Sequence, residues 1–157
     1  MRISDRVEAR NVCLGLEGRT TEDVLGEMVE RLAAAGALGG ATAREVLGKL
    51  LLRERQGSTG FGGGVALPHV KLEGIPATTI AIGRSEDGVD FSANDGERVH
   101  TIFLILSPPA EAEAHLDTLK WVVRLAQDRY YAKVLRGSKT VEQIVDLFAE
   151  FDDEGSS

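Results

Sequence analysis

The sequence predicts an α/β fold, a three-layer α/β/α sandwich, on two observations. Residues 99–106 (VHTIFLIL) form an almost continuous apolar run closed by Pro108 and Pro109, the pattern of a strand buried on both faces. Around that run, segments with apolar positions at a 3.6-residue period alternate with short extended segments. Amphipathic helices interleaved with strands must cover the sheet from both sides.

Length and composition fit one such unit. A chain of 157 residues is one domain and buries about two-thirds of its unfolded surface. Net charge is −7, with no basic patch to neutralise phosphates, which argues against nucleic acid and against docking on anionic membranes. Cys13 is the only cysteine, so no intrachain disulfide forms. A lone thiol in the apolar run VCLGL reads as a small buried hydrophobe in a reducing compartment. No apolar run approaches a membrane span and residues 1–11 lack a signal-peptide core, so the chain reads as cytoplasmic.

Taken in order, residues 1–10 are polar and expected to be loosely held, and 12–16 form a short strand weakened by Gly15. Thr20 caps a first helix with Val24, Leu25, Met28, Val29, Leu32 and Ala33 on its inner face, stopped at 36–40. Thr42 and Glu45 make a capping box for a second helix with Val46, Leu47, Leu50 and Leu51 inward and Arg53 in its last turn. Residues 57–64 are too glycine-rich for helix or strand. A strand follows at 77–82, then a polar turn at 85–88, a short extended piece at 89–91, a turn at 94–96 and the central strand. Residues 110–127 form the third helix, Asp128 caps a short one, and Thr140 with Gln143 opens the last. The acidic tail 152–157 is expected to be disordered.

One stretch carries chemistry: residues 53–71, RERQGSTGFGGGVALPHVK. Five of the eight residues 57–64 are glycine, which permits positive φ and close approach of backbone N–H groups to a ligand. Pro68 fixes its own φ and pushes Leu67 toward an extended conformation, so His69 is presented from a rigid stem at a strand end. That arrangement suits a histidine that meets a phosphoryl group; by spacing alone, an ordinary surface histidine after a turn fits as well. The glycine run lacks a GK[ST] ending and does not lead from a strand into a helix, which disfavours nucleotide binding. His115 falls on the apolar stripe of its helix, and periodicity alone favours a hydrogen-bonded core histidine. Arg53 in a last turn is explained equally by the helix dipole.

This segment, with the HL dipeptide His115-Leu116, resembles the active-site signature of the enzyme IIA family of the phosphoenolpyruvate-dependent phosphotransferase system. The likeness is to the fructose/mannitol type, most of all its nitrogen-regulatory members. It covers residues 9–151, leaving 1–8 as an N-terminal arm. Val70 departs from the pattern, where the family commonly has Gly. The resemblance implies a mixed sheet of about five strands with the active histidine at its edge. It implies His69 as nucleophile and phosphate carrier, His115 beside it, and Arg53 complementing the phosphoryl charge. Ser58, Thr59, Gly63 and Gly64 become candidate phosphoryl-binding residues, and His100, with no counterpart, is read as structural. No metal or other cofactor is needed. The implied donor is the phosphorylated HPr-type carrier protein. The phosphate is then either a regulatory signal read by a target protein or passed to a separate IIB, since no permease or second carrier domain is present in the sequence. A third possibility is an interaction module that is never phosphorylated. The joint presence of Arg53, Pro68, His69 and His115 argues against it.

Overall fold

The computed structural model describes residues 2–93 and 95–155. Six strands make one sheet: β1 (Val7–Cys13), β2 (Gly60–Gly62), β3 (Val65–Ala66), β4 (His69–Lys71), β5 (Thr79–Val89) and β6 (Val99–Ser107). Their order is β1-β5-β6-β3-β2, with β4 also paired to β6. β1 runs parallel to β5, β5 antiparallel to β6, and β3 and β4 both parallel to β6. The sheet is mixed, with one strand more than expected.

Helices α1 (Thr21–Ala34) and α2 (Ala43–Arg55) cover one face. Helices α3 (Ala112–Gln127), α4 (Arg129–Gly137) and α5 (Val141–Gly155) cover the other. The strand β6 explains the layering. Its Ile102, Leu104 and Leu106 enter the core under α1 and α2, while Phe103 and Ile105 enter the core under α3 to α5. All five are fully buried, so period-2 alternation sends two apolar sets to opposite faces. The caps form as the sequence requires: Thr20 accepts from the Asp23 N–H, Thr42 and Glu45 close a reciprocal box, and Asp128 accepts from Tyr130 and Tyr131. Thr140 and Gln143 exchange the same reciprocal bonds at the start of α5.

Five expectations are corrected. Ala33 is exposed rather than on the inner face of α1. The N-terminal residues are not a loose arm: Ile3–Arg6 form a 3-10 turn and Val7–Cys13 a strand on β5. That strand was hidden because its register shifts between Val7 and Val12 and leaves 8–10 exposed, which destroys the alternation. The tail is helical through Gly155, because the Asp152 carboxylate accepts from the Ser4 N–H at 2.6 Å and from Trp121 Nε1 at 2.8 Å. Ser156 and Ser157 lie outside the described residues, as does Asn94 of the predicted 94–96 turn. Residues 85–88 are an irregular continuation of β5, where the register shifts before Val89 and Gly88 takes φ +87. Gly60–Gly62 is a short strand on β3. No helix among the described residues is long and apolar enough to cross a membrane.

The turn before β5 depends on one glycine. Gly74 has φ +99, a Cβ there would lie 2.6 Å from the Ala41 nitrogen, and its carbonyl accepts from the Gly40 N–H at 2.9 Å. Gly74→Ala is expected to cost about 2–4 kcal/mol through strain and backbone overlap. The check is a lower urea midpoint with an unchanged slope.

Candidate functional site

Val65 to Lys71 run as one extended segment along β6, broken at Leu67 and Pro68 because proline has no N–H to donate. The Pro68 carbonyl accepts from the Ile105 N–H at 3.0 Å, and Leu67 turns its N–H outward to the Thr59 carbonyl at 3.0 Å. His69 then pairs with Ile105 as the first residue of β4. Nothing pairs with β4 on its outer side among the described residues, and His69 is half-buried at this open edge.

Its Nδ1 lies 2.7 Å from the Leu67 carbonyl. A carbonyl only accepts, so Nδ1 carries the hydrogen and, in the neutral ring, Nε2 keeps its lone pair. The backbone two residues upstream thus selects the tautomer whose free nitrogen is a nucleophile. Beyond it, Val70 is buried against α2-side residues of the core, which accounts for a side chain where the signature has glycine.

His115 comes from the first turn of α3, and its ring centroid stands 5.7 Å from that of His69 at an interplanar angle of 51°. It is 5 % exposed, and its Nδ1 lies 2.7 Å from Ser107 Oγ. Both expectations for this residue hold together: it is a hydrogen-bonded core histidine and it faces His69. Burial above all, then the neighbouring His69 and Lys71, pushes its pKa from 6.5 down to about 4. Ser107 Oγ is 2.9 Å from Thr78 Oγ1, which in turn is 2.9 Å from Glu111 Oε1. The Thr78 N–H also donates to Glu111 at 2.9 Å. These two donors hold the Glu111 carboxyl below its ordinary pKa.

Arg53 occupies the last turn of α2, and its Nη1 donates to the Gly57 carbonyl at 2.7 Å. One turn earlier, Lys49 Nζ donates to the Lys71 carbonyl at 3.1 Å, so α2 lies along β4. Arg53 pairs with no carboxylate among the described residues. Ser58 and Thr59 already have partners. The Ser58 hydroxyl donates to the Phe91 carbonyl and accepts from the Gly60 N–H. The Thr59 hydroxyl and N–H both donate to the Glu54 carboxylate.

The glycine loop is not gathered around the histidine pair. Gly64 precedes His69 by five residues of extended chain, roughly 15 Å. The Gly63 N–H donates to Asp95 at 3.1 Å, and the Gly64 carbonyl accepts from the His100 and Thr101 N–H groups. Both glycines line a different cavity, of about 830 Å³, with Arg84, Arg98, His100 and Arg136. His100 itself donates Nδ1–H to the Ser85 carbonyl at 3.0 Å, a structural bond. Sequence reasoning missed Glu54, which ties down Thr59, and the Ser107–Thr78–Glu111 chain. Their signals were only a polar residue closing β6, another just before β5, and an acid one turn before His115.

The α/β sandwich thus brings two histidine rings together at an open sheet edge, each with its Nδ1 tied to a protein oxygen. Residues 7–151 match the family described as "Phosphoenolpyruvate-dependent sugar phosphotransferase system, EIIA 2", and the chain belongs to that family of phosphoryl-carrier components. It is 34 % identical over 149 residues to a nitrogen regulatory protein of Bradyrhizobium diazoefficiens, covering 95 % of each chain. It is 33 % identical over 152 residues to the fructose-specific EIIABC component of Bacillus subtilis, covering 97 % of this chain but only 24 % of that protein. The crystal structure of the nitrogen regulatory protein IIA-Ntr from Neisseria meningitidis superposes with a TM-score of 0.84 at 26 % identity, over 93 % of this chain and 98 % of that one.

Proposed function

We propose that the protein accepts a phosphoryl group on His69 Nε2 from a phosphorylated HPr-type carrier in the cytoplasm and signals by its phosphorylation state. The observation that carries this reading is the hydrogen bond from His69 Nδ1 to the Leu67 carbonyl. In the neutral ring it leaves Nε2 free of hydrogen, so transfer to that form requires no deprotonation of the nucleophile. The donor's P–N bond breaks, a new P–N bond forms to Nε2, and the electron pair returns to the donor imidazole. His69 keeps its Nδ1 hydrogen, and the Leu67 carbonyl stabilises the positive charge that the ring acquires. His115 holds a phosphoryl oxygen. Arg53 turns from the Gly57 carbonyl to the phosphoryl oxygens, as its fork of donors allows, while Glu54, Ser58 and Thr59 anchor the loop.

The test is incubation of the protein with phosphoenolpyruvate, enzyme I and the carrier, read by intact mass. One acid-labile, base-stable phosphate located on the His69 peptide is expected; labelling elsewhere, or none, overturns the reading.

The regulatory role is favoured by the match to a nitrogen regulatory protein over nearly the whole of both chains. The second reading, a fructose/mannitol-type transport IIA passing phosphate to a separate IIB, is favoured by the EIIABC relative. Phosphorylation adds about two negative charges to a surface that a partner must cover. A regulatory partner should therefore distinguish His69→Ala from His69→Asp in pull-downs from the source cell. If no partner discriminates and both substitutions stop uptake of one sugar, transport is the function.

A further inference from the structure

We infer that Ser107, Thr78 and Glu111 are positioning residues for phosphoryl transfer. Their hydrogen-bond chain fixes the tautomer of His115 and makes phosphorylation of His69 take up a proton. The inference rests on the carrier reading for its second half; the first half concerns the unphosphorylated protein.

The direction of the chain follows from counting hydrogens. The Glu111 carboxylate has none, so the 2.9 Å contact with Thr78 uses the threonine hydroxyl hydrogen. Thr78 has no second one, so its contact with Ser107 uses the serine hydrogen. Ser107 is then an acceptor toward His115, and the 2.7 Å contact is made by Nδ1–H of the imidazole. Ser107, Thr78 and His115 are all buried, at 0 %, 5 % and 5 % exposure, where no water competes to reverse the order. The neutral His115 therefore carries a lone pair on Nε2, as His69 does.

A lone pair cannot hold a phosphoryl oxygen. Once His69 is phosphorylated, His115 serves it only by binding a proton on Nε2 and becoming an imidazolium with donors on both nitrogens. The groups facing it are His69 and Lys71 from β4 and, through the chain, Glu111. Arg6 from the N-terminal turn acts on Glu111, and its guanidinium donates to Thr118 Oγ1 at 2.7 Å, one turn along α3 from His115. Phosphorylation adds negative charge at His69, and Glu111 supplies negative charge at the far end of the chain. One proton is taken from solvent per phosphoryl group bound, and released when the group leaves.

The experiment has two arms. Long-range ¹H–¹⁵N spectra of the unphosphorylated protein should show His115 protonated at Nδ1 and bare at Nε2. In Thr78→Val the serine hydrogen has no acceptor, turns to His115 Nδ1 and drives the ring to the Nε2–H tautomer; Thr78→Ser restores the wild-type spectrum. The second arm follows the equilibrium of phosphate between this protein and its carrier against pH. The wild type should show uptake of one proton per phosphoryl group. Glu111→Gln, which still accepts from Thr78 but carries no charge, should keep the tautomer, shift the pH profile to lower pH and move phosphate back to the carrier by roughly five- to tenfold. A wild-type His115 protonated at Nε2, or a Thr78→Val variant with unaltered spectrum and pH profile, overturns the inference. Absence of any phosphoryl uptake by the wild type overturns the carrier reading and the proton-uptake half with it. The tautomer arm is read separately.

Discussion

Replacement of His69 by alanine is expected to abolish phosphoryl acceptance entirely while leaving the fold in place. The ring is half-buried at the open edge of β4, and its bond to Leu67 is local, so truncation leaves no cavity in the core. The main-chain pairing of His69 with Ile105 survives, since it needs no side chain. His115 cannot substitute as acceptor: it is 5 % exposed and sits behind His69 in the first turn of α3. His69→Gln should be equally inactive, because an amide nitrogen offers no lone pair to phosphorus. Intact mass after incubation with the complete donor chain reads both variants, with thermal unfolding as the control. A variant that unfolds at the wild-type temperature and still becomes labelled places the phosphate on another residue and removes His69 from its role.

How far the site was legible follows from which interactions are local in sequence. The Pro68-His69 presentation, the Arg53 position and the four side-chain helix caps are decided within a few residues, and each was readable. The two-faced burial of β6 was readable because one run contained both apolar sets. The strand Val7–Cys13 was not, because a register shift removed its alternation and its pairing is with β5, some seventy residues on. The ordering of Asp152 was invisible for the same reason, since its partners Ser4 and Trp121 are distant in sequence. The glycine loop misled in a different way. Its composition declared backbone freedom correctly, with Gly62, Gly63 and Gly64 all at positive φ. It did not say where that freedom points, and the turn serves the β2–β3 connection and a separate cavity. The chain from His115 to Glu111 joins the end of one strand, the start of another and a helix lead-in, a juxtaposition only the topology supplies.

His115 should produce the second large effect, and an effect of opposite kind on acid stability. If His115 holds a phosphoryl oxygen as proposed, His115→Ala is expected to slow transfer roughly ten- to a hundredfold, since a hydrogen bond to a charged group is worth about 1.5–3 kcal/mol. Exchange with the carrier at the wild-type rate in both directions would reduce His115 to a core residue. The same side chain makes the unphosphorylated protein acid-sensitive. Burial holds the folded pKa at about 4 against 6.5 when exposed, so between those values the unfolded chain binds a proton that the folded chain refuses. Stability contributed by the neutral ring is complete above pH 6.5 and declines as pH falls toward 4, by about 2 kcal/mol at pH 5. Carboxylates such as Glu111, whose pKa is lowered by its bonds to Thr78, lose their own contribution at still lower pH, so the comparison belongs between pH 7 and 5. His115→Gln should be less stable than the wild type at pH 7, where packing is disturbed, yet lose less on going to pH 5. In the phosphorylated wild type the imidazolium is already formed and the decline should vanish. Urea midpoints of the three proteins at both pH values decide the matter. Parallel losses in all three would mean that His115 does not titrate with folding, and that its neutrality in the resting protein is not set by burial.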